Sequence, residues 1–200
     1  MAIAINGSSN TITGLAVGGL PDGVVDTDML AANAVTAAKA SGSAKGITMA
    51  QLWRINTTFA ATASIITSNW EVQDQAGAGS VGSSMSESSG VFTFPSTGIY
   101  FIQFTCAYFS TQADRRYLGA YIDATVNNSA YSSAAVNYTN TPNISGGDTH
   151  TTVTTSTIFD VTDTSTHKCK FGLAPVGTSQ IFANTNENYT YVVFIRLGDT

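Results

Sequence analysis

An all-β sandwich preceded by a non-globular arm is the fold class that this 200-residue chain predicts. Three observations predict it. Aromatic residues are absent from residues 1–50 and frequent afterwards, the later part repeats apolar runs with a period of two, and Gly, Pro and Asn clusters separate those runs. Two hundred residues suffice for one good core plus an appendage.

The arm comes first. Ala, Gly, Thr and Asp dominate residues 1–50, and without aromatics such a stretch cannot build its own core. It must be disordered or lie along another surface. Leu20-Pro21-Asp22-Gly23 reads as a tight turn, Pro presetting φ and Gly supplying φ > 0. Asp26-Thr27-Asp28 offers N-cap side chains for a short helix over residues 29–39, with Met29, Leu30, Ala34, Val35 and Ala38 near one face. Residues 41–46, Ser-Gly-Ser-Ala-Lys-Gly, read as a flexible joint. The side chains available for docking on a partner are Ile3, Ile5, Ile12, Leu15, Val17, Leu20, Val24, Val25, Met29 and Leu30.

From about residue 51 the period is that of half-buried strands. Val91-Phe92-Thr93-Phe94 stops at Pro95, and Ser96-Thr97-Gly98 makes a turn. Residues 99–109 form a long strand with Tyr100, Ile102, Phe104, Cys106 and Tyr108 on one face. Ile99, Phe101, Gln103, Thr105 and Ala107 share the other. Two largely apolar faces suggest that one meets the core and the other a partner chain. Residues 117–126 alternate again, with Leu118, Ala120, Ile122, Ala124 and Val126 on one side. Thr-rich residues 151–161, residues 168–173 and residues 189–197 complete the strands. Residues 77–90, 137–148 and 177–188 read as loops. Phe94, Tyr100, Phe101, Phe104, Ile122 and Phe194 are expected in the core or between protomers.

Charged residues are only 10% of the chain against 43% hydrophobic. That is well below the usual quarter, so Ser, Thr and Asn must cover the exterior, or other chains must. A net charge of −5 and a pI near 4.7 argue against nucleic-acid or anionic-membrane binding. Arg115-Arg116 and Lys168/Lys170 are the basic pairs, read as strand-end or strand-face charges. No apolar run approaches membrane-spanning length, so membrane insertion is not expected. The start, Met1-Ala2-Ile3-Ala4-Ile5-Asn6, lacks a basic n-region, and no export signal is expected. In a reducing cytoplasm, Cys106 and Cys169 are then expected as buried free thiols.

Chemistry finds little support. His150 and His167 are the histidines, each among threonines, and no Gly-x-Ser-x-Gly elbow is present. No Cys-x-x-Cys or His-x-x-x-His spacing suggests zinc. Asp22, Asp26 and Asp28 lack the spacing and closing Glu of a calcium loop and read better as a cap. No enzyme, cofactor or metal is expected. Asn56, Asn137, Asn143 and Asn188 head Asn-x-Ser/Thr triplets, which a chain this rich in those residues produces by chance. Tyr131, Tyr138 and Phe182 sit near polar segments, where they pack or else stack on sugar faces.

Phe92-Thr93-Phe94-Pro95-Ser96-Thr97-Gly98-Ile99-Tyr100-Phe101 resembles the core signature of the C1q/TNF-like jelly roll: an aromatic strand, a Pro turn, then Gly-x-Tyr-x-Phe. Ile102 stands where that pattern has its last Phe. Tyr117-Leu118-Gly119-Ala120-Tyr121-Ile122 is similar to the family's next strand, with Asn127-Asn128 in place of the usual Gly turn. Tyr189-Thr190-Tyr191-Val192-Val193-Phe194-Ile195 is similar to its C-terminal strand. The resemblance spans about residues 52–198 and implies a homotrimeric jelly-roll β-sandwich over residues 51–200. The arm, with Gly19-Leu20-Pro21-Asp22-Gly23-Val24-Val25-Asp26-Thr27-Asp28 and Asn33-Ala34-Val35-Thr36-Ala37-Ala38-Lys39, resembles linkers of bacteriophage tail-fibre and virion-surface proteins. That implies a structural protein made in the host cytoplasm and carried on the outside of a virion. The first reading is a capsid decoration (cement) protein docked on the major capsid protein or another virion subunit. The alternative is a small tail fibre or spike tip that binds host-surface carbohydrate. A secreted C1q-like lectin is a third reading, disfavoured by the missing export signal.

Overall fold

The computed structural model describes residues 46–200 apart from 63, 112 and 176–178, together with residues 4–6, 8 and 11–13. The chain divides into two compact units, Met1–Ser41 and Gly42–Thr200. In the first, β1 (Ala4–Asn6) and β2 (Thr11–Thr13) pair antiparallel, with Ile5 opposite Ile12. The expected turn at 20–23, cap at 26–28 and helix at 29–39 lie outside the described residues. So do Ile3, Leu15, Val17, Leu20, Val24, Val25, Met29 and Leu30.

The second unit is a jelly-roll sandwich of two antiparallel sheets. One sheet runs β6 (Trp70–Val72), β3 (Met49–Ile55), β15 (Tyr191–Gly198), β9 (Gly98–Thr111) and β12 (Asp148–Val161); β14 (Ser179–Asn184) and β4 (Thr57–Ala61) extend it beside the far end of β9. The other runs β11 (Ser132–Thr141), β10 (Arg115–Thr125), β13 (Lys168–Pro175), β8 (Val91–Thr93) and β7 (Ser86–Ser88), with β5 (Ser64–Ile65) also against β13. The chain crosses between sheets from β9 to β10, β11 to β12, β12 to β13 and β13 to β14. Each sheet therefore lays its apolar face on the other.

The alternation in β9 decides what lies inside. Tyr100, Ile102, Phe104, Cys106 and Tyr108 are all fully buried. From the opposite sheet they meet Ile122, Phe92 and Phe171, and Phe194 joins from β15. Phe171 lies 5.1 Å from Phe104, 5.2 Å from Phe92 and 5.8 Å from Phe194, ring centre to ring centre. Trp70 closes the cluster 5.1 Å from Phe92, edge to face, and donates its indole N–H to the Ile66 carbonyl. Both cysteines are buried and free. Burial pushes the Cys106 thiol up to about 12, so it stays protonated and unreactive at neutral pH.

The Pro95–Gly98 turn has a physical role in this core. Phe94 packs 4.8 Å from Tyr100, whose hydroxyl donates back to the Ser96 carbonyl oxygen at 3.0 Å. A buried tyrosine thus keeps its polar end satisfied. Gly98 has φ of +142°, and a Cβ there would collide with the Arg196 guanidinium and the Gly198 carbonyl. Arg196 needs that space to donate to the Thr97 carbonyl at 2.8 Å and to Asp199 at 2.5 Å.

Three segments expected as loops contain strands. Residues 137–148 hold the end of β11, residues 177–188 hold β14, and residues 77–90 hold β7. β11 is an exposed edge strand without apolar alternation, so its own residues do not announce it. It is held by its ladder to β10, and by Asn137 Nδ2 donating to the Thr154 carbonyl and Thr139 hydrogen-bonding Thr151, 2.9 and 2.8 Å across to β12.

Phe104→Ala should lower unfolding stability by about 3–5 kcal/mol, the loss typical of a large ring removed from a packed interior. Urea unfolding followed by tryptophan fluorescence measures it; an unchanged midpoint would contradict the burial of Phe104.

Candidate functional site

The most distinctive surface of the jelly roll is the outward face of the sheet centred on β9. Odd-numbered β9 residues point there, and the register aligns them in rows across neighbouring strands. Ile158, Phe101, Ile195 and Ala50 form one row over β12, β9, β15 and β3. Ser156, Gln103, Val193 and Leu52 form the next, followed by Thr154, Thr105, Tyr191 and Arg54. Ile158 is 57% exposed, while Phe101, Ile195, Val193 and Leu52 are half-buried. Five branched or aromatic side chains thus form an apolar strip, with hydroxyls on its β12 side. Thr105 and Thr154 hydrogen-bond across strands at 3.0 Å.

At one end of this face stand four rings. His150 stacks on Phe109 with centres 5.6 Å apart and meets Phe182 at 5.1 Å; Phe182 packs on Tyr189 at 4.2 Å. Three of them, His150, Phe182 and Tyr189, border a shallow hollow of about 360 Å³ with Ala107 and Thr152. Here β15 and β14 diverge along one edge of β9, and Thr190 bridges the gap. Its buried hydroxyl accepts from Ala107 N–H at 3.0 Å and donates to the Phe182 carbonyl at 2.9 Å.

A polar clamp borders the face on the β3 side. Arg54 is fully buried and donates to Glu71 at 2.7 Å and Asp74 at 2.5 Å. Asn56 and Thr185 also donate to Glu71, and Asn188 donates to Gln73, tying the segments around residues 73 and 186 together. A guanidinium with no solvent contact needs such partners.

The structure divides the residues expected in the core or between protomers. Phe94, Tyr100, Phe104, Ile122 and Phe194 all point between the sheets and are at most 2% exposed, whereas Phe101 points outward. The outward rows also contain Ile158, Ile195, Val193 and Leu52, which are not among the residues expected at an interface. Alternation in each strand sets their parity, but which parity faces out depends on pairing. Tyr131, Tyr138 and Phe182 are not brought together. Phe182 belongs to the ring cluster above. Tyr138 is 55% exposed on β11, and Tyr131 follows the β10–β11 turn with Lys170 Nζ 3.9 Å over its ring.

The two histidines lie in different settings, and the His167 backbone N–H donates to the Asp163 carbonyl with the Asp163 carboxylate close by. His167 is buried between the Thr162 and Thr166 hydroxyls, and His150 is in the ring stack. Among the described residues no group of three or more His, Cys, Asp or Glu side chains is arranged to hold a metal.

These features define a TNF-like jelly roll whose prominent surface is an apolar sheet face. No family model matches the sequence, and no curated protein matches it. Solved structures do. Murine APRIL at pH 5.0 aligns with a TM-score of 0.50 at 8% identity, over 74% of this chain and 98% of that one. Eiger TNF from S. frugiperda aligns with a TM-score of 0.52 at 9% identity, over 76% and 94%. At such identities the likeness is one of fold.

Glu71 links the clamp to pH. Burial alone would raise its carboxyl, but hydrogen bonds from Arg54, Asn56 and Thr185 and the Arg54 charge outweigh it and hold the group below the usual 4.5. A lowered carboxylate contributes stability that is present above its unfolded value and is lost as pH falls through the folded value. The melting temperature should therefore drop below about pH 4.5, and Glu71→Gln should be less stable at pH 7 but flatter between pH 5 and 3. Parallel melting curves would contradict the clamp.

Proposed function

We propose that this chain is a non-enzymatic structural protein of a bacteriophage virion, a homotrimer whose heads pack through the outward face of β9 and whose arms dock on another virion subunit. The observation that carries the trimer is the row Ile158, Phe101, Ile195 and Ala50 with its neighbours Val193 and Leu52. This apolar strip lies on a head with few charges to solvate it. Closed three-fold symmetry would cover all copies at once. The arm's resemblance to virion-surface linkers supports the virion, and its lack of aromatics supports ordering against a partner rather than alone. A docking arm must recover roughly 1–2 kcal/mol of backbone entropy per ordered residue. Ile3, Ile5, Ile12, Leu15, Val17, Leu20, Val24, Val25, Met29 and Leu30 are its apolar means, and three arms act together through effective concentration.

Within this reading the protein decorates the capsid exterior, its arm on the major capsid protein. The turn and short helix expected in the arm, and the lack of a heptad or shaft repeat in residues 1–50, favour lying on a surface over projecting as a rod. The alternative, a fibre or spike tip that binds host glycan, draws support from the exposed tyrosines of the opposite sheet.

Light scattering should give a mass three times 20.8 kDa. Phe101→Asp should give a folded monomer, because a carboxylate buried unpaired at three interfaces is strongly unfavourable. A wild-type monomer at micromolar concentration would overturn the trimer.

Deleting residues 1–45 should leave a trimer that no longer sediments with particles lacking the protein. Co-sedimentation equal to wild type would assign attachment to the head instead.

A further inference from the structure

The outward residues of β9 from Ile99 to Phe109, and of β15 from Tyr191 to Leu197, are all uncharged. Arg54 on β3 is buried and tied to Glu71 and Asp74. On β12 the outward residues run from Asp148 to Asp160. Between those acids stand His150, Thr152, Thr154, Ser156 and Ile158, and only the histidine is of a type that changes charge near neutrality. His150 is exposed and pairs with Phe109 in the ladder. Its ring lies on Phe109 and against Phe182, and the hollow beside it runs on into the Thr152–Ala107 row of the same face.

Charge around His150 is sparse and engaged. On its own strand Asp148 accepts from the Thr111 hydroxyl at 2.6 Å. In the segment before β15, Glu187 is hydrogen-bonded to the Tyr189 hydroxyl. β9 contributes Ala107 and Phe109 and β14 contributes Gln180 and Phe182, all neutral. Tyr108 turns inward and donates to the Gly119 carbonyl. Asp114, Arg115 and Arg116 line hollows beside β11, on the other sheet. Among the described residues no carboxylate forms an ion pair with His150.

We propose that His150 makes self-association through the β9 face reversible by acid: over a neutral imidazole the protomers close, and an imidazolium holds them apart. This regulation rests on the homotrimer proposed above. The occupant of the hollow is a second copy of the chain. The hollow continues the apolar strip with no charged side chain between them, so whatever covers the strip covers the rings as well. In a separated protomer His150 is exposed and water solvates it in either form. Closing the assembly over an imidazolium costs its desolvation, and closing over a neutral imidazole does not. Phe109 lies under the ring in both states and leaves the sign unchanged. Each released protomer therefore takes up one proton in the range where histidines titrate, near pH 6.5, which makes three per trimer. Association is fully present above that range and is lost as pH falls through it.

Sedimentation equilibrium of the full-length protein at pH 7.5 and pH 5.5 reads the effect. The concentration at which half the trimer dissociates should rise by about tenfold or more at the lower pH. His150→Gln, neutral throughout, should have the same midpoint at both. Near-UV circular dichroism at pH 5.5 should report a folded head. Where no dissociation is reached, exchange of fluorescently labelled protomers between trimers reads the same step and should be faster at pH 5.5. A monomer at pH 7.5 would overturn the trimer itself. A wild-type trimer with equal midpoints or equal exchange rates at the two pH values would overturn the role of His150 alone. So would an undiminished pH dependence in His150→Gln, or dissociation that accompanies unfolding of the head.

Discussion

The head depends on β9 being bonded along both edges and apolar on both faces. One edge is taken by β12 over its full length, the other by β15 and then β14. A strand apolar on both faces poses a register problem, because a one-residue slip exchanges its two faces at little hydrophobic cost. The anchors lie at its ends. Gly98 accepts the Arg196 side chain where a Cβ would not, the Tyr100 hydroxyl is tied to Ser96, and Thr190 fits the gap where β15 and β14 part. With those three contacts in place, Tyr100, Ile102, Phe104, Cys106 and Tyr108 can point only inward.

That choice of register has consequences at the surface. It sets Phe101 in line with Ile158 and Ile195, producing an apolar row that no single strand contains. It brings Phe109 beside His150 and near Phe182. The sandwich then separates this face from the tyrosine–arginine surface of β10 and β11 by the thickness of the core. Covering one leaves the other in solvent.

Charge is used sparingly and for position. Arg54 and Arg196 are buried or nearly so, and both tie the ends of strands to neighbouring segments through carboxylates and carbonyls. With 10% charged residues, most of the exterior is Ser, Thr and Asn, and cross-strand hydroxyl pairs such as Thr105–Thr154 and Thr139–Thr151 replace ion pairs.

The all-β class, the alternation along β9 and the aromatic residues Phe94, Tyr100, Phe104 and Phe194 of the core are legible in the sequence, because alternation is a local property, but both faces of β9 are apolar enough that its inward face is not. The Pro95–Gly98 turn was legible for the same reason: its geometry is written in adjacent residues. Only the tertiary structure decided that β11 is a strand, since an exposed polar edge is held by its neighbours and not by its own pattern. It also decided which residues form surfaces. Phe101 with Ile158 and Ile195, and His150 with Phe109 and Phe182, are far apart along the chain. Strand register brings them together, and it depends on long-range pairing that no local pattern specifies.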